Sequence, residues 1–454
     1  MRGGLGGVLD GGRVGMAGIL AWPLAYARRH ARARPPAPPM VLNLVWVGFM
    51  AVGFVAALVQ ALQGDWAVFG RVMGALFDTA RTAFDIALGL VGVMCLWLGV
   101  LKIGERAGAI ALFARAVAPF FARLFPAIPR GHPAGGSIAM NVSANLLGLD
   151  NAATPLGLQA MRELQALNPR KDEASDPMLM FAVLNTAGLT LVPTSVIAMR
   201  QAIAADQGLT GFNGADIFLP TLLATFVSFT AGLLSVAAWQ RLNLLNRAVL
   251  GFFGGFALAV GALYWGLSRL PPAQMALAIG ALGSGLIFTL IVAIVVAGAW
   301  RRIDVFGAFV DGAKDGFQVA VQILPYLVAM LAAVSVFRST GCMDWVVRGI
   351  AAGVAALGLD TAFVPALPVG LMKTLSGSGA RGLMVDVMKT HGVESFAGRL
   401  AAILQGSTET TFYVLAVYFG SVGIRNTRYA LSCGLIADLA GVVGAILIAY
   451  AFYG

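Results

Sequence analysis

Long apolar runs separated by short polar segments make up most of the chain. A helix needs roughly 20 apolar residues to cross a bilayer core of about 30 Å, and runs of this length recur along the sequence without strand-like alternation. The pattern predicts an all-α polytopic membrane protein. The nine predicted spans are 41–62, 82–103, 178–200, 216–240, 248–269, 274–300, 317–337, 397–422 and 428–452.

Two other kinds of apolar segment lie between the predicted spans. Residues 108–126 and 344–357 are amphipathic, so we expect them to lie along the membrane interface. Residues 134–153 and 361–381 are apolar but contain many Gly, Ser, Asn and Pro residues. We interpret these two as re-entrant hairpins, because irregular backbone at membrane depth is tolerated only where protein or a cavity surrounds it.

The two halves of the sequence repeat each other. Spans, amphipathic segments and hairpins follow in the same order twice, with one extra helix between the copies. One extra crossing reverses the direction of all later segments, so we predict an inverted repeat, an arrangement found in many secondary transporters. The predicted domains are 40–245, a connecting helix at 246–272, and 273–454. At an offset of 233 residues, identical pairs are Phe84 and Phe317, Gly108 and Gly341, Arg115 and Arg348, and Ser143 and Ser376.

Composition and charge exclude a soluble protein. Of the 454 residues, 59% are hydrophobic and 11% are charged, against about 25% charged in a soluble domain. Lys and Arg outnumber Asp and Glu by 10, and half of this excess precedes Met40. Anionic lipid headgroups are the expected partner of that basic segment, and nucleic acid is not. The distribution of Lys and Arg favours an N-terminus on the inner side of the membrane. The scattered Cys and His residues predict no cofactor and no metal site.

Residues 1–39 are open to three interpretations. The first is a disordered extension that results from a mis-assigned start, and the second is a basic cytoplasmic arm. The third is a cleaved signal peptide, with Arg13, an apolar run at 14–27 and the small residues Ala25 and Ala27 as its three regions. A complete span follows Met40 directly and needs no separate signal, which favours the first interpretation.

Polar residues interrupt both hairpins and two of the spans, and these residues form the candidate site. In the first hairpin, Thr154 before Pro155 predicts a helix start with unpaired N–H groups facing the break. In the second hairpin, the SGSG stretch at 376–379 can hold left-handed backbone and let an ion or substrate approach main-chain atoms. The candidate binding residues are Asn141, Ser143, Asn145, Asn151, Thr154, Asn185, Thr186, Thr190, Ser376, Ser378, Gln405, Ser407, Thr408, Glu409, Thr410 and Asp438.

Structural alternatives compete with a binding role. A single Ser or Thr in a span usually makes a helix–helix hydrogen bond, which contributes about 0.6 kcal/mol. A cluster of polar residues around Glu409 favours a site, because an intramembrane acid costs about 2.5–3.5 kcal/mol to insert. Lys373 and Ser376 have the spacing of a Ser/Lys nucleophile, but an interfacial lysine that stabilises a loop is the favoured interpretation. We therefore expect no enzyme activity.

Five long motifs resemble known bacterial membrane proteins. NVSANLLGLDNAATPLGLQAM and LNTAGLTLVPTSVIAMR resemble the spore maturation protein A family. LSGSGARG, LQGSTETTFYVLAVYFGSVGIRNTRYA and LIADLAGVV resemble the spore maturation protein B family. The resemblance implies a fusion of the two, within the wider group that carries a gate or nucleoside-recognition domain. It also implies a bacterial inner-membrane protein associated with spore maturation, without naming a transported species.

These observations together predict a secondary transporter or permease for a small polar solute, with a midplane site between the repeats. The expected partners are the lipid bilayer, the solute and a coupling proton or sodium ion, and a homo-oligomer is left open. The alternative is a non-transporting envelope or spore-maturation factor that binds partner membrane proteins.

Overall fold

The computed structural model describes residues 40–129, 131–147, 150–267, 269 and 272–454, and the fold in these ranges is all-helical. The predicted extension at 1–39 lies outside the described residues. The first-half helices are α1 (Met40–Leu62), α2 (Ala67–Arg106), α3 (Ala109–Leu124), α4 (Pro133–Leu146), α5 (Asp150–Leu167), α6 (Asp176–Ala187), α7 (Thr194–Asp206) and α8 (Phe218–Gln240). Later helices are α9 (Arg247–Leu267), α10 (Pro272–Trp300), α11 (Val305–Ser339), α12 (Cys342–Ala356), α13 (Leu367–Leu375), α14 (Gly377–His391), α15 (Phe396–Gly406), α16 (Thr411–Ser421) and α17 (Ala430–Tyr453).

Helices lie at every predicted span, but only some are single helices of membrane-crossing length. Among the described residues, α2, the segment Gly214–Gln240 and α17 are long and apolar enough to cross a bilayer. The bent pair Leu327–Ser339 and Cys342–Ala356, with 73° between its parts, makes a fourth if it is counted as one span. The protein is thus a multi-pass membrane protein, and the total of nine spans stays a prediction.

Two predicted spans belong to longer helices. The run at 82–103 continues upstream to Ala67 in α2, and the run at 317–337 continues upstream to Val305 in α11. The amphipathic segments before these runs contain no proline that would end a helix, so each joins its span without a break. α2 and α11 pack closely along their length. Gly312 and Gly316 of α11 lie against the α2 backbone, where a Cβ would collide with the carbonyls of Leu98 and Met94.

The order of elements in the first half recurs in the second. Gly108 precedes the amphipathic helix α3, and Gly341 precedes α12. Both glycines adopt left-handed backbone, with φ of 80° and 76° respectively. The same conformation at equivalent positions agrees with the sequence offset of 233 residues between the copies. A left-handed residue favours glycine strongly, which explains why both positions are glycine.

Two pairs of helices form interrupted rods. α6 and α7 are separated by 188–193, and α15 and α16 are separated by 407–410. The start of the first rod lies beside the end of the second, because Arg425 N donates to Asp172 O at 2.9 Å. The end of the first rod lies beside the start of the second, because the Arg200 guanidinium donates to Val393 O at 3.1 Å. The two rods therefore run in opposite directions.

α8 and α17 pack against both interrupted rods. Small residues let these two helices approach each other closely, and a Cβ on Gly232 would lie 3.2 Å from the Ala437 side chain. Ser228 Oγ donates to Ala437 O at 3.0 Å. Small residues and interhelical hydrogen bonds are the usual means of helix association in lipid. This pair forms a rigid support behind the two breaks.

Candidate functional site

The two interruptions contact each other at the centre of the fold. Glu409 N in the second break donates to Thr186 O, at the end of α6, at 2.9 Å. Gly188 follows α6 in left-handed backbone, with φ of 54°. A Cβ there would lie 2.9 Å from Glu409 Cγ and 3.1 Å from Glu409 N. We call this contact between 188–193 and 407–410 the crossing.

Both predicted hairpins also reach the crossing. Leu191 N in the first break donates to Leu146 O, the last residue of α4, at 2.9 Å. In the second half, a Cβ on Gly377 would lie 2.9 Å from Thr410 Oγ1. Gln405 Nε2 points to Gly377 O at 3.5 Å. Helix ends from four places in the sequence therefore meet in one region, which exposes backbone groups and half-helix dipoles to a common space.

Two local predictions for the hairpins are wrong. α5 begins at Asp150, so Thr154 and Pro155 lie in its second turn and do not start it. Pro155 therefore lies inside the helix, where it has no N–H to donate to the carbonyl four residues earlier. The SGSG stretch is not left-handed. Ser376 instead caps α14, where its Oγ accepts a hydrogen bond from Gly379 N at 3.0 Å.

Three candidate asparagines and one tyrosine form a hydrogen-bonded group beside the crossing. Asn145 Nδ2 donates to Asn185 Oδ1 at 2.9 Å, and Tyr418 OH donates to the same oxygen at 3.3 Å. Asn185 Nδ2 donates to Phe181 O at 2.9 Å. Asn141 Nδ2 lies 2.7 Å from Ala153 O and 3.3 Å from Tyr418 OH. We call Asn141, Asn145, Asn185 and Tyr418 the asparagine cluster.

A small polar cleft opens on the other side of the crossing. Its volume is about 40 Å³, which is room for roughly three water molecules. The cleft is bordered by the first break, the start of α7, the ends of α13 and α15, and the second break. The polar residues that line it are Thr190, Thr194, Ser195, Lys373, Arg381, Gln405, Thr408 and Glu409.

Charged side chains of both signs lie in and behind this cleft. Lys373 is buried, not interfacial as predicted, and its Nζ lies 4.0 Å from Glu409 Oε2. The Glu409 side chain is 47% exposed and faces the cleft. Asp438 on α17 is buried, and the Thr374 and Thr411 hydroxyls and Lys373 are in its surroundings. Neither Asp438 oxygen makes a hydrogen bond of good geometry within the described ranges.

Other predicted site residues bond only to their own segment. Ser143 Oγ donates to Ala139 O, Thr186 Oγ1 to Val183 O, and Ser407 Oγ to Leu404 O. These bonds to carbonyls three or four residues earlier are a structural use of the hydroxyl. Ser378 Oγ lies 3.1 Å from Ser376 Oγ in the α14 cap. Thr154 lies half-buried on α5, and the side chain of Asn151 lies outside the described residues.

The sequence prediction of binding residues does not include Arg381, Thr194 and Ser195 of the cleft or Tyr418 of the asparagine cluster, and it gives Lys373 a different role. Arg381 lies within the predicted hairpin at 361–381, and a basic residue in such an apolar segment indicates a candidate binding residue. Tyr418 lies on an apolar helix, where nothing in the sequence separates it from a packing residue. Lys373 was recognised, but its burial was not predicted.

Comparison with known proteins identifies two matching segments. The family described as Gate, nucleoside recognition, matches residues 87–202 and 320–425. These segments contain both interrupted rods. The helix ends on both sides of the two breaks therefore come from two copies of one domain.

The two halves also match two proteins of Bacillus subtilis (strain 168). Spore maturation protein A is 40% identical over 188 residues, which are 41% of this chain and 90% of that protein. Spore maturation protein B is 42% identical over 165 residues, which are 36% of this chain and 91% of that protein. The chain therefore belongs to the Gate family of nucleoside-recognition domains and carries two copies, in halves similar to spore maturation proteins A and B.

Proposed function

We propose that this protein is a secondary transporter or permease for a small polar solute, with its site in the cleft at the crossing. The observation that carries the proposal is the hydrogen bond between Glu409 N and Thr186 O. It places interrupted helices from both Gate copies against one polar cleft. Paired discontinuous helices at the interface of two repeats are typical of secondary transporters, whose sites they form.

The antiparallel direction of the two rods supports an inverted relation between the copies. Contacts hold the rods together at both ends. Arg428 Nη1, in the loop after the second rod, bonds to Asp176 Oδ1 at 2.7 Å at one end, and the Arg200 guanidinium donates to Val393 O, just before the second rod, at 3.1 Å at the other. Opening either end while the crossing stays closed would expose the cleft to one side at a time. This is the geometric requirement for alternating access.

Glu409 and Asp438 are the proposed coupling groups. A carboxyl group within a membrane segment is expensive and usually marks an ion or proton pathway. Glu409 faces the cleft directly, whereas Asp438 lies behind it. Lys373 lies beside both carboxyl groups, so a proton or sodium ion that binds one of them changes the field in the cleft.

Uptake measurements test the proposed function. The full chain would be reconstituted in proteoliposomes and offered a panel of labelled small polar solutes, with an imposed proton or sodium gradient. We expect one solute class to accumulate above the level of protein-free liposomes, and only with a gradient. If no solute accumulates under either gradient, the alternative role, a non-transporting envelope factor that binds partner membrane proteins, becomes the better account.

Cysteine labelling tests the inverted repeat separately. In a background without Cys95, Cys342 and Cys433, single cysteines would be placed at Gly135, an exposed position next to the buried Ala134, and at Thr361. We expect an impermeant thiol reagent to label them from opposite sides of the membrane. Labelling of both from the same side would contradict the inverted arrangement.

A further inference from the structure

The charges around the cleft are not evenly paired. Lys373 lies 4.0 Å from the Glu409 carboxylate and also lies near Asp438. Arg381, which lines the same cleft, makes neither an ion pair nor a hydrogen bond with any residue that the structure describes. It is half-buried on α14. One lysine thus has two carboxyl groups beside it, while the arginine has none.

An arginine in this position is suited to one kind of ligand. The guanidinium is always protonated, and its planar fork matches the two oxygens of a carboxylate, sulfate or phosphate group. A half-buried guanidinium without a counter-charge is unfavourable inside a membrane protein. A ligand with a negative charge would remove this cost.

Two further features of the cleft point to a ligand that binds there. Gln405 is 2% exposed, and its Oε1 has no hydrogen-bond partner among the described residues. Its side chain lines the cleft. In addition, α7 begins at the cleft with Thr194 and Ser195, and no side chain caps its first turn. The N-terminus of a 13-residue helix attracts anions, because its free N–H groups carry partial positive charge.

We propose that the solute of this cleft is a small oxyanion, such as a short carboxylate, sulfate or phosphate, held by Arg381 and the start of α7. This inference rests on the proposed transport function, since it names the class of solute for the same site. The volume of about 40 Å³, room for roughly three water molecules, suits a ligand of a few non-hydrogen atoms and is small for a nucleoside. The free Gln405 oxygen can only accept a hydrogen bond, so it would bond to a protonated oxygen of the ligand, such as the hydroxyl of a hydrogen phosphate.

A binding measurement tests the inference without any need for transport. The purified full chain would be titrated with sodium acetate, sodium sulfate and sodium phosphate, and the midpoint of thermal unfolding would be recorded. Sodium gluconate at equal ionic strength serves as a salt too large for the cleft. We expect at least one small oxyanion, and not gluconate, to raise the midpoint saturably, because a ligand that binds only the folded state stabilises it.

Substitution of Arg381 gives the decisive result. Arg381→Gln should weaken the apparent affinity for the oxyanion about tenfold or more, since one charge-assisted contact is lost. Arg381→Lys should weaken it less and provides a second variant if the first does not fold. Arg348→Gln removes an exposed arginine on α12 and should leave the affinity unchanged.

The outcomes separate the two proposals. Absence of saturable stabilisation by every oxyanion, or an affinity equal to that of the unsubstituted chain in both Arg381 variants, would overturn the oxyanion inference. Accumulation of a neutral or cationic solute in the uptake assay, without oxyanion binding, would leave the transport proposal intact while this inference fails. Saturable, Arg381-dependent binding without any uptake would support the oxyanion site and count against transport.

Discussion

The asparagine cluster and the cleft lie on either side of the same crossing, yet their polar groups are used differently. In the cluster, the side-chain donors of Asn145, Asn185 and Tyr418 all bond to acceptors of the protein. Asn141 Oδ1 is the one buried amide oxygen there without a partner among the described residues. In the cleft, Arg381 and the Gln405 oxygen have no partner within the described part of the chain. The two regions therefore differ most in charge, because the unpartnered atom of the cluster belongs to a neutral amide, whereas the cleft contains a guanidinium without a counter-charge in that part of the chain.

The largest effect on uptake should come from substitution of Glu409, which faces the cleft. Glu409→Gln keeps the size of the side chain and removes its charge and its titration. If Glu409 couples transport to an ion gradient, gradient-driven uptake should fall about tenfold or more, while the thermal unfolding midpoint changes little because the side chain is half-exposed. Initial uptake rates in proteoliposomes, with and without the gradient, measure this effect.

Glu394→Gln is the matched control, since Glu394 is exposed in the turn before α15. This variant should transport normally. Normal gradient-driven uptake by Glu409→Gln would remove the coupling role and leave Asp438 as the next candidate.

Gly188 lies between the two regions and should affect both. Its φ of 54° and its contact with Glu409 leave no room for a Cβ. Gly188→Ala should therefore lower the free energy of unfolding by about 2–3 kcal/mol and also reduce uptake. Gly420→Ala, at an open helical position on α16, is the control and should be neutral or slightly stabilising. Equal unfolding midpoints for the two variants would show that the crossing is not tightly packed.

Substitution of a residue in the asparagine cluster should lower the stability of the protein without changing its preference among ligands. Asn185→Ala removes three hydrogen bonds, which together contribute about 2 kcal/mol at the average found in membrane proteins. Asn243→Ala, at an exposed loop position, is the control. Thermal unfolding gives the stability, and the oxyanion titration gives the ligand preference. A changed preference in Asn185→Ala would place the cluster in the binding site.

The smallest effect is expected at Ser143. Its hydroxyl bonds only to Ala139 O, one turn earlier in α4, and alanine is the better helix former. Ser143→Ala should shift the free energy of unfolding by less than about 0.5 kcal/mol and leave uptake unchanged. A large loss of uptake would show that Ser143 belongs to the cleft after all.

Hydrophobic pattern alone was sufficient to place most helices. Runs of apolar residues predicted helices at all nine spans, and Gly, Pro and polar residues correctly marked the interruptions at 188–193 and 407–410. Helix lengths were less predictable. The start of α2 at Ala67 depends on the absence of proline upstream of the apolar run, and a run of apolar residues by itself does not show where the helix begins.

The sequence predicts the site as one set of polar residues. The structure separates these residues into the asparagine cluster, the cleft and a group whose side chains bond only within their own segment. Whether Asn185 or Gln405 is satisfied depends on Tyr418 and Gly377, which are distant in sequence and become neighbours only through packing. Periodicity and spacing describe single elements, so they cannot show which side chains meet across elements. Resemblance to known motifs located the region, but the hydrogen bonds decide the role of each residue.

Both Gate copies reside in one polypeptide, joined through α9, and this has a consequence for assembly. The crossing and the bond from Arg200 to Val393 O connect segments of different copies. Two separate subunits would lose translational and rotational freedom on forming such an interface, and dilution in lipid would weaken it. A covalent connection makes the association intramolecular, with an effective concentration set by the linker. The stoichiometry of the two copies is thereby held at one to one, independent of expression level.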